Sequence, residues 1–219
     1  MINITFPDGN VRQYPQGITA LEIAKSISNS LEKKVLSAKV NNEVWDATRP
    51  INTDATLSLL TWDDKEGKST FWHSSAHLMA EALQTIYPQV KFTIGPPIDN
   101  GFYYDVDFGG EIPKHDDLEA VERVMLKLAS QNNPYQRRNV SKAEALEFYH
   151  TNEYKTELIN DLTDGDITFY TQGKFVDLCR GPHVPHTGYI KAVKLLNIAG
   201  AYWRGDENRP QLTRIYGIT

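Results

Sequence analysis

Two short runs far apart in the chain, His73-Ser74-Ser75-Ala76-His77 and Cys179-Arg180-Gly181-Pro182-His183, each carry two metal-binding or proton-handling side chains four positions apart. On a helix this spacing puts both groups on one face, with Cβ atoms about 5–6 Å apart. Convergence of the two runs requires a fold that brings a mid-chain helix against a late segment, so that three imidazoles and one thiol share a pocket. Such a set can hold a metal, run acid–base chemistry, or line a small polar site that positions water. Spacing alone leaves these three open.

The 219 residues suffice for one large domain or two smaller ones, and a 40% hydrophobic content allows a sizeable core. No stretch approaches the roughly eighteen apolar residues of a membrane span, and Met1-Ile2-Asn3-Ile4-Thr5 has neither basic flank nor apolar signal core. A soluble cytoplasmic protein is the expectation. Cys179, the single cysteine, excludes an internal disulfide framework and fits a reducing compartment. With 23 Lys+Arg against 28 Asp+Glu, the chain lacks the basic excess usual in nucleic-acid binders, so weak binding to RNA on its own is expected. Lys33-Lys34, Arg137-Arg138, Lys191, Lys194 and Arg204 could meet a few phosphates, although scattered charges are more often solvated surface.

The pattern predicts two domains, 1–62 and 63–219, in an α+β fold. In the first, Asn3 to Phe6 alternates, Asp8-Gly9 supplies a turn, and Val11 to Tyr14 returns as a second strand. Thr19 with Glu22 three positions on forms a capping box, and Ala20, Ile23, Ala24, Ile27 and Leu31 make one apolar stripe, predicting a helix to about Leu31. Val35 to Val40, Val44 to Asp46 and Thr56 to Leu60 read as strands, with Asn41-Asn42 as a turn. Hairpin, helix and further strands suggest a β-grasp fold. The polar run Trp62 to Lys68, with its glycine, marks the boundary.

In the second domain, Ser69 or Thr70 caps a predicted helix to about Tyr87 that carries His73 and His77. Asn100-Gly101 predicts a hairpin turn, Leu118 to Ala129 an amphipathic helix, Lys142 to Tyr149 a shorter one, and Thr168 to Tyr170 with Lys174 to Leu178 two strands around Gly173. Helices flanking an antiparallel or mixed sheet are expected. Lys155 lies in Glu153-Tyr154-Lys155-Thr156-Glu157 and reads by itself as a solvent-exposed lysine. Tyr202 and Trp203 read as core aromatics, and His115, His150 and His186 as surface residues.

The wording Asp177-Leu178-Cys179-Arg180-Gly181-Pro182-His183-Val184-Pro185, after His73-x-x-x-His77, resembles the editing domain of bacterial threonyl-tRNA synthetases. Ile94 to Asp105 and Gly200 to Asp206 match the same family, and residues 1–62 resemble its TGS module. The likeness covers the whole chain. It implies hydrolysis of mischarged seryl-tRNA(Thr), because a pocket that prefers threonine gains only about 1–3 kcal/mol from the extra methyl. By resemblance, His73 and Lys155 position water and handle protons, with Lys155 also offsetting developing negative charge. Asp177 holds the substrate ammonium; His77, Cys179 and His183 line the pocket; Tyr104 and the loop from Gly95 to Asn100 cradle the adenosine or seryl group.

The threonyl-like wording implies a site that works without metal. Zinc held by His73, His77, Cys179 and His183, as in the related alanyl editing domains, is the alternative. Nothing in the chain resembles the ATP-binding motifs of an aminoacylation core, so an N-terminal fragment is expected, with ATP, a zinc and homodimer contacts belonging to the absent core. The partner implied is the acceptor end of tRNA(Thr). A non-catalytic module that docks tRNA or a regulator, with a structural His/Cys cluster, is the competing expectation.

Overall fold

The computed structural model describes residues 1–110 and 112–219, which fold as two compact units. The first comprises Met1–Phe71 with Gly181–Pro185, the second Trp72–Arg180 with His186–Thr219. The fold class is α+β, as the sequence predicts.

In the first unit, Ile2–Thr5 and Val11–Tyr14 pair antiparallel from Ile2↔Tyr14 to Thr5↔Val11. Ile2–Thr5 also runs parallel to Ala55–Leu60, and the sheet is completed by Ser37–Val40 and Glu43–Trp45. A parallel neighbour demands a long crossover, which here contains the helix Ala20–Ile27. The helix starts where the capping box places it: Glu22 N–H donates to Thr19 Oγ1 at 3.2 Å, and Thr19 N–H donates to Glu22 Oε2 at 2.8 Å. Its apolar face puts Ala20, Ile23 and Ala24 into a core with Ile4, Val35, Ala38, Val40 and Leu57. The predicted run to Leu31 is interrupted. Ser28 turns extended and its Oγ accepts the Leu31 N–H, capping a separate short helix, Asn29–Glu32. A serine hydroxyl that competes for backbone donors favours such a break. Asn41 and Asn42 both take positive φ, the primed turn joining Val40 to Glu43.

The long helix begins at Lys65, four residues before the expected cap, and runs to Ile86. Its start is set by Asp64, whose carboxylate accepts the Thr61 N–H at 2.7 Å and whose carbonyl accepts the Lys68 N–H. Gly67 therefore lies inside a helix. A Cβ there would stand 1.9 Å from the Thr61 carbonyl oxygen, so the glycine serves close approach rather than flexibility. Thr70 is buried and donates to Glu66 O instead of capping.

Among the described residues, the second unit contains two sheets. One runs Lys194–Tyr202, Gln211–Ile218, Gly101–Asp107, Lys91–Phe92; the other runs Gln136–Asn139, Thr168–Gln172, Phe175–Leu178. Helices Leu118–Ala129, Lys142–Phe148 and Glu153–Asn160 accompany them. Pro97–Ile98 pairs with the start of Gly101–Asp107 at Ile98↔Gly101, so the two-residue loop is Asp99-Asn100, one position before the predicted turn. Glu153–Asn160, Gln136–Asn139 and the two longest strands carry no clear periodic signal. Gln136–Asn139 is exposed at every position, and Lys194–Tyr202 breaks its alternation with a register shift between Leu195 and Asn197. Trp203 is buried as predicted, whereas Tyr202 is exposed and His186 half-buried.

Candidate functional site

The chemistry in the second unit gathers where the helix Lys65–Ile86, the strand Phe175–Leu178 and the helix Glu153–Asn160 present polar side chains to one another. His73 and His77, one turn apart, meet edge to face with ring centroids 5.1 Å apart. Cys179 follows the strand, and its backbone is tied to Thr168 in both directions: Cys179 N–H donates to Thr168 O at 3.0 Å, and Thr168 Oγ1 donates to Cys179 O. This places Cys179 Sγ 3.3 Å from His73 Nε2. His73 and Cys179 are partly exposed, while His77 is buried.

Behind them lies a buried charge pair. Lys155 Nζ is 2.5 Å from Asp177 Oδ1, and both residues are 2% exposed. The lysine that reads as solvated surface is thus among the most deeply buried side chains. Its helix is placed by Asn152, whose Oδ1 accepts the Lys155 N–H at 3.1 Å and whose Nδ2 donates to Phe92 O at 3.0 Å. Asp177 Oδ2 accepts the Tyr104 hydroxyl at 2.5 Å, and Tyr149 brings its hydroxyl to 3.5 Å from Oδ1. Burial raises the Asp177 pKa, but the ammonium of Lys155, with His77 and the hydrogen bonds, outweighs it and leaves Asp177 below the usual carboxylate range.

His77 Nε2 lies 3.6 Å from Asp177 Oδ2. Burial pushes the His77 pKa down to about 3, against the opposing pull of Asp177, so the contact is made by a neutral imidazole at neutral pH. The His77 backbone carbonyl accepts Gln172 Nε2 at 3.0 Å, tying helix to sheet. Tyr104 is itself placed by Gly95: a Cβ at that position would stand 2.3 Å from Tyr104 Cδ2, so the chain lies directly on the ring. A cavity of about 460 Å³ has Tyr149 and Asp177 in its wall, with Phe92, Phe148, Lys91 and Lys174 around it.

The structure therefore brings His73, His77, Tyr104, Lys155, Asp177 and Cys179 together within the second unit. His183 belongs to the segment counted with the first unit, where it is buried and donates its N–H to Asp46 Oδ1 at 2.7 Å. The ligand atoms of His73, His77 and Cys179 lie within 4.8 Å of one another. A thiol with a neutral imidazole suits a borderline-soft ion such as zinc, so this cluster can hold a metal. Asn152, Tyr149 and Gln172 escape sequence reasoning. Asn152 before Glu153 is an N-cap signature that could have exposed the helix, whereas nothing local marks the other two.

Comparison with known proteins places the chain. Residues 2–61 match the TGS domain, and residues 167–216 match the threonyl and alanyl tRNA synthetase second additional domain. All of the chain aligns with threonine–tRNA ligases: 60% identity with that of Parabacteroides distasonis, 59% with Cytophaga hutchinsonii and 61% with Porphyromonas gingivalis. Over its whole length the chain is similar to threonine–tRNA ligases. It spans 34% of the length of these relatives and corresponds to the N-terminal region of a threonine–tRNA ligase. Asp177, Cys179 and His183 fall inside the matched second additional domain; His73, His77, Tyr104 and Lys155 lie in the stretch between the two matches. No helix among the described residues is long and apolar enough to cross a membrane.

Proposed function

We propose that residues 63–219 form an editing domain that hydrolyses seryl-tRNA(Thr) and spares threonyl-tRNA(Thr), with residues 1–62 as a TGS module. The carrying observation is the juxtaposition of the partly exposed His73–Cys179 contact with the buried Lys155–Asp177 pair on a chain similar to these ligases. Water adds to the ester carbonyl carbon, the carbonyl oxygen becomes an oxyanion, and collapse releases serine while the ribose oxygen takes a proton. His73 takes the water proton as general base. Lys155, paired with Asp177 at 2.5 Å, stabilises the oxyanion, a contribution of about 10²–10³ in rate for one such donor. Asp177 offers the substrate ammonium a carboxylate already fixed by the Tyr104 hydroxyl. His77 stays neutral and keeps the pocket from accumulating positive charge, and Cys179 and Tyr104 complete the lining.

The cavity of about 460 Å³ reaches the proposed site residues only at Asp177, so exclusion of threonine is assigned to the crowded contacts around His73, His77 and Cys179. A metal-free reaction is our reading; zinc on the His/Cys cluster would instead supply an activated water, as a Lewis acid does. The partner is the acceptor end of tRNA(Thr) in the cytoplasm. Most of the affinity for it comes from elsewhere, since this chain carries net charge −5.

The test is deacylation of seryl- and threonyl-tRNA(Thr) with and without a zinc chelator. Selective loss of serine that resists chelation is expected; equal rates, or none for either ester, defeat the proposal, and zinc-dependent rates favour the alanyl-type reaction. The near-complete burial of Lys155 and Asp177 favours a second reading, a structural pair in a tRNA-docking module. Unchanged deacylation after Lys155→Ala would decide for it.

A further inference from the structure

The two halves of the buried pair stand on separate elements: Lys155 in the first turn of Glu153–Asn160, and Asp177 in Phe175–Leu178. That strand pairs only with Thr168–Gln172, and among the described residues its other edge carries no strand. The outward backbone groups that flank Asp177 therefore need another partner. Tyr149 supplies it. Its hydroxyl accepts the Leu178 N–H at 3.0 Å and lies 3.3 Å from Val176 O, replacing a neighbouring strand on either side of Asp177.

The other end of the same residue holds the lysine. Tyr149 follows the helix Lys142–Phe148 as its C-cap, and its carbonyl accepts the Asn152 N–H at 2.8 Å and Thr156 Oγ1 at 3.0 Å. Asn152 is the N-cap of the lysine's helix, and Thr156 is the residue after Lys155. The backbone carbonyl and the ring hydroxyl of one residue thus span the distance between the two elements. The ring is fixed in turn by edge contacts with Phe148 and Phe169 at 4.9 and 5.6 Å.

We infer that Tyr149 is a positioning residue, a spacer that sets the separation and aim of Lys155 relative to Asp177. The inference rests on the hydrolase reading for its effect on rate, and on geometry alone for its effect on the pair. Lys155 acts on the oxyanion only from the place Asp177 gives it, and small misplacements of such groups cost rates disproportionately.

The test is Tyr149→Phe, which keeps the ring and the carbonyl and removes only the hydroxyl. For seryl-tRNA(Thr) hydrolysis we expect kcat to fall about 10-fold with KM changed less than about twofold, since the group lost acts on alignment rather than on substrate contact. A denaturation cycle with Lys155→Met is read in parallel. Coupling of about threefold or more in the unfolding constant is expected between two residues acting on one pair. Unaltered kcat, a loss confined to KM, or additive effects in the cycle would each overturn the inference. Should the wild-type protein hydrolyse no seryl ester, the functional reading fails by itself, and the cycle alone then decides whether Tyr149 sets the pair.

Discussion

Removing the ammonium of Lys155 is the sharpest test of the site's construction. Lys155→Met keeps most of the aliphatic stem and leaves the Asp177 carboxylate buried with two tyrosine hydroxyls and a neutral imidazole. Breaking a buried pair on one side costs about 3–5 kcal/mol. The Tyr104 hydroxyl continues to solvate the carboxylate, a hydrogen bond to a charged group contributing about 1.5–3 kcal/mol, so we expect the lower end, about 3 kcal/mol at pH 7. Asp177→Asn leaves a buried ammonium unpaired and should cost about as much. The double variant removes both charges and should cost well under their sum, near 1–2 kcal/mol, because replacing both members of a buried pair is often close to neutral. The pH dependence carries a sign as well. In the wild-type protein Asp177 lies below its ordinary pKa, so its contribution is present above the unfolded value and lost as pH falls through the folded one. Without the ammonium, burial dominates and raises that pKa, so the deficit of Lys155→Met should shrink on acidification from pH 7. Urea denaturation followed by circular dichroism measures all three variants. A loss below about 1 kcal/mol for Lys155→Met, or strict additivity in the double variant, would refute a buried, coupled pair.

Two further outcomes follow from the same geometry. His77, with a folded pKa of about 3 against an ordinary 6.5, takes no proton in the native state over the range in which the unfolded chain does. Its contribution is therefore intact above pH 6.5 and drains away as pH falls toward 3, by about 2 kcal/mol between pH 6.5 and 5. Urea midpoints across that range should fall less steeply in His77→Asn than in the wild-type protein, and identical slopes would remove the argument. Gly95→Ala sets a methyl 2.3 Å from the Tyr104 ring, which is fully buried and hydrogen-bonded to Asp177. Overpacking of this kind costs about 1–3 kcal/mol, and it should impair seryl ester hydrolysis together with stability. A variant with wild-type melting temperature and rate would show that the loop does not bear on the ring.

Local chemistry was legible wherever one element carried its own instructions. Thr19 and Glu22 announced a helix start, Asn41-Asn42 a primed turn, and the spacing of His73 and His77 a shared helical face, because caps, turns and periodicity are decided within a few residues. The family resemblance around Cys179 likewise rested on wording along the chain alone. Errors arose where a residue's meaning came from outside its own segment. Gly67 looked like linker but packs on Thr61, and Ser28 interrupted a stripe that continued past it.

Lys155 is the plainest case, since nothing in its surroundings along the chain distinguishes it from a solvated lysine. Only the meeting of its helix with the Asp177 strand takes it out of water, and only an ion pair makes that tolerable. Tyr149 joins the same two elements and leaves no mark on local pattern, because its hydroxyl and carbonyl answer to residues on different sides of it. The sequence by itself determined which segments would be helix or strand at their best-marked ends and which residue types were available for a candidate site. The tertiary structure decided which charges are buried, who neutralises them and how far apart they stand, since burial and pairing are properties of distant segments brought together, absent from any one of them alone.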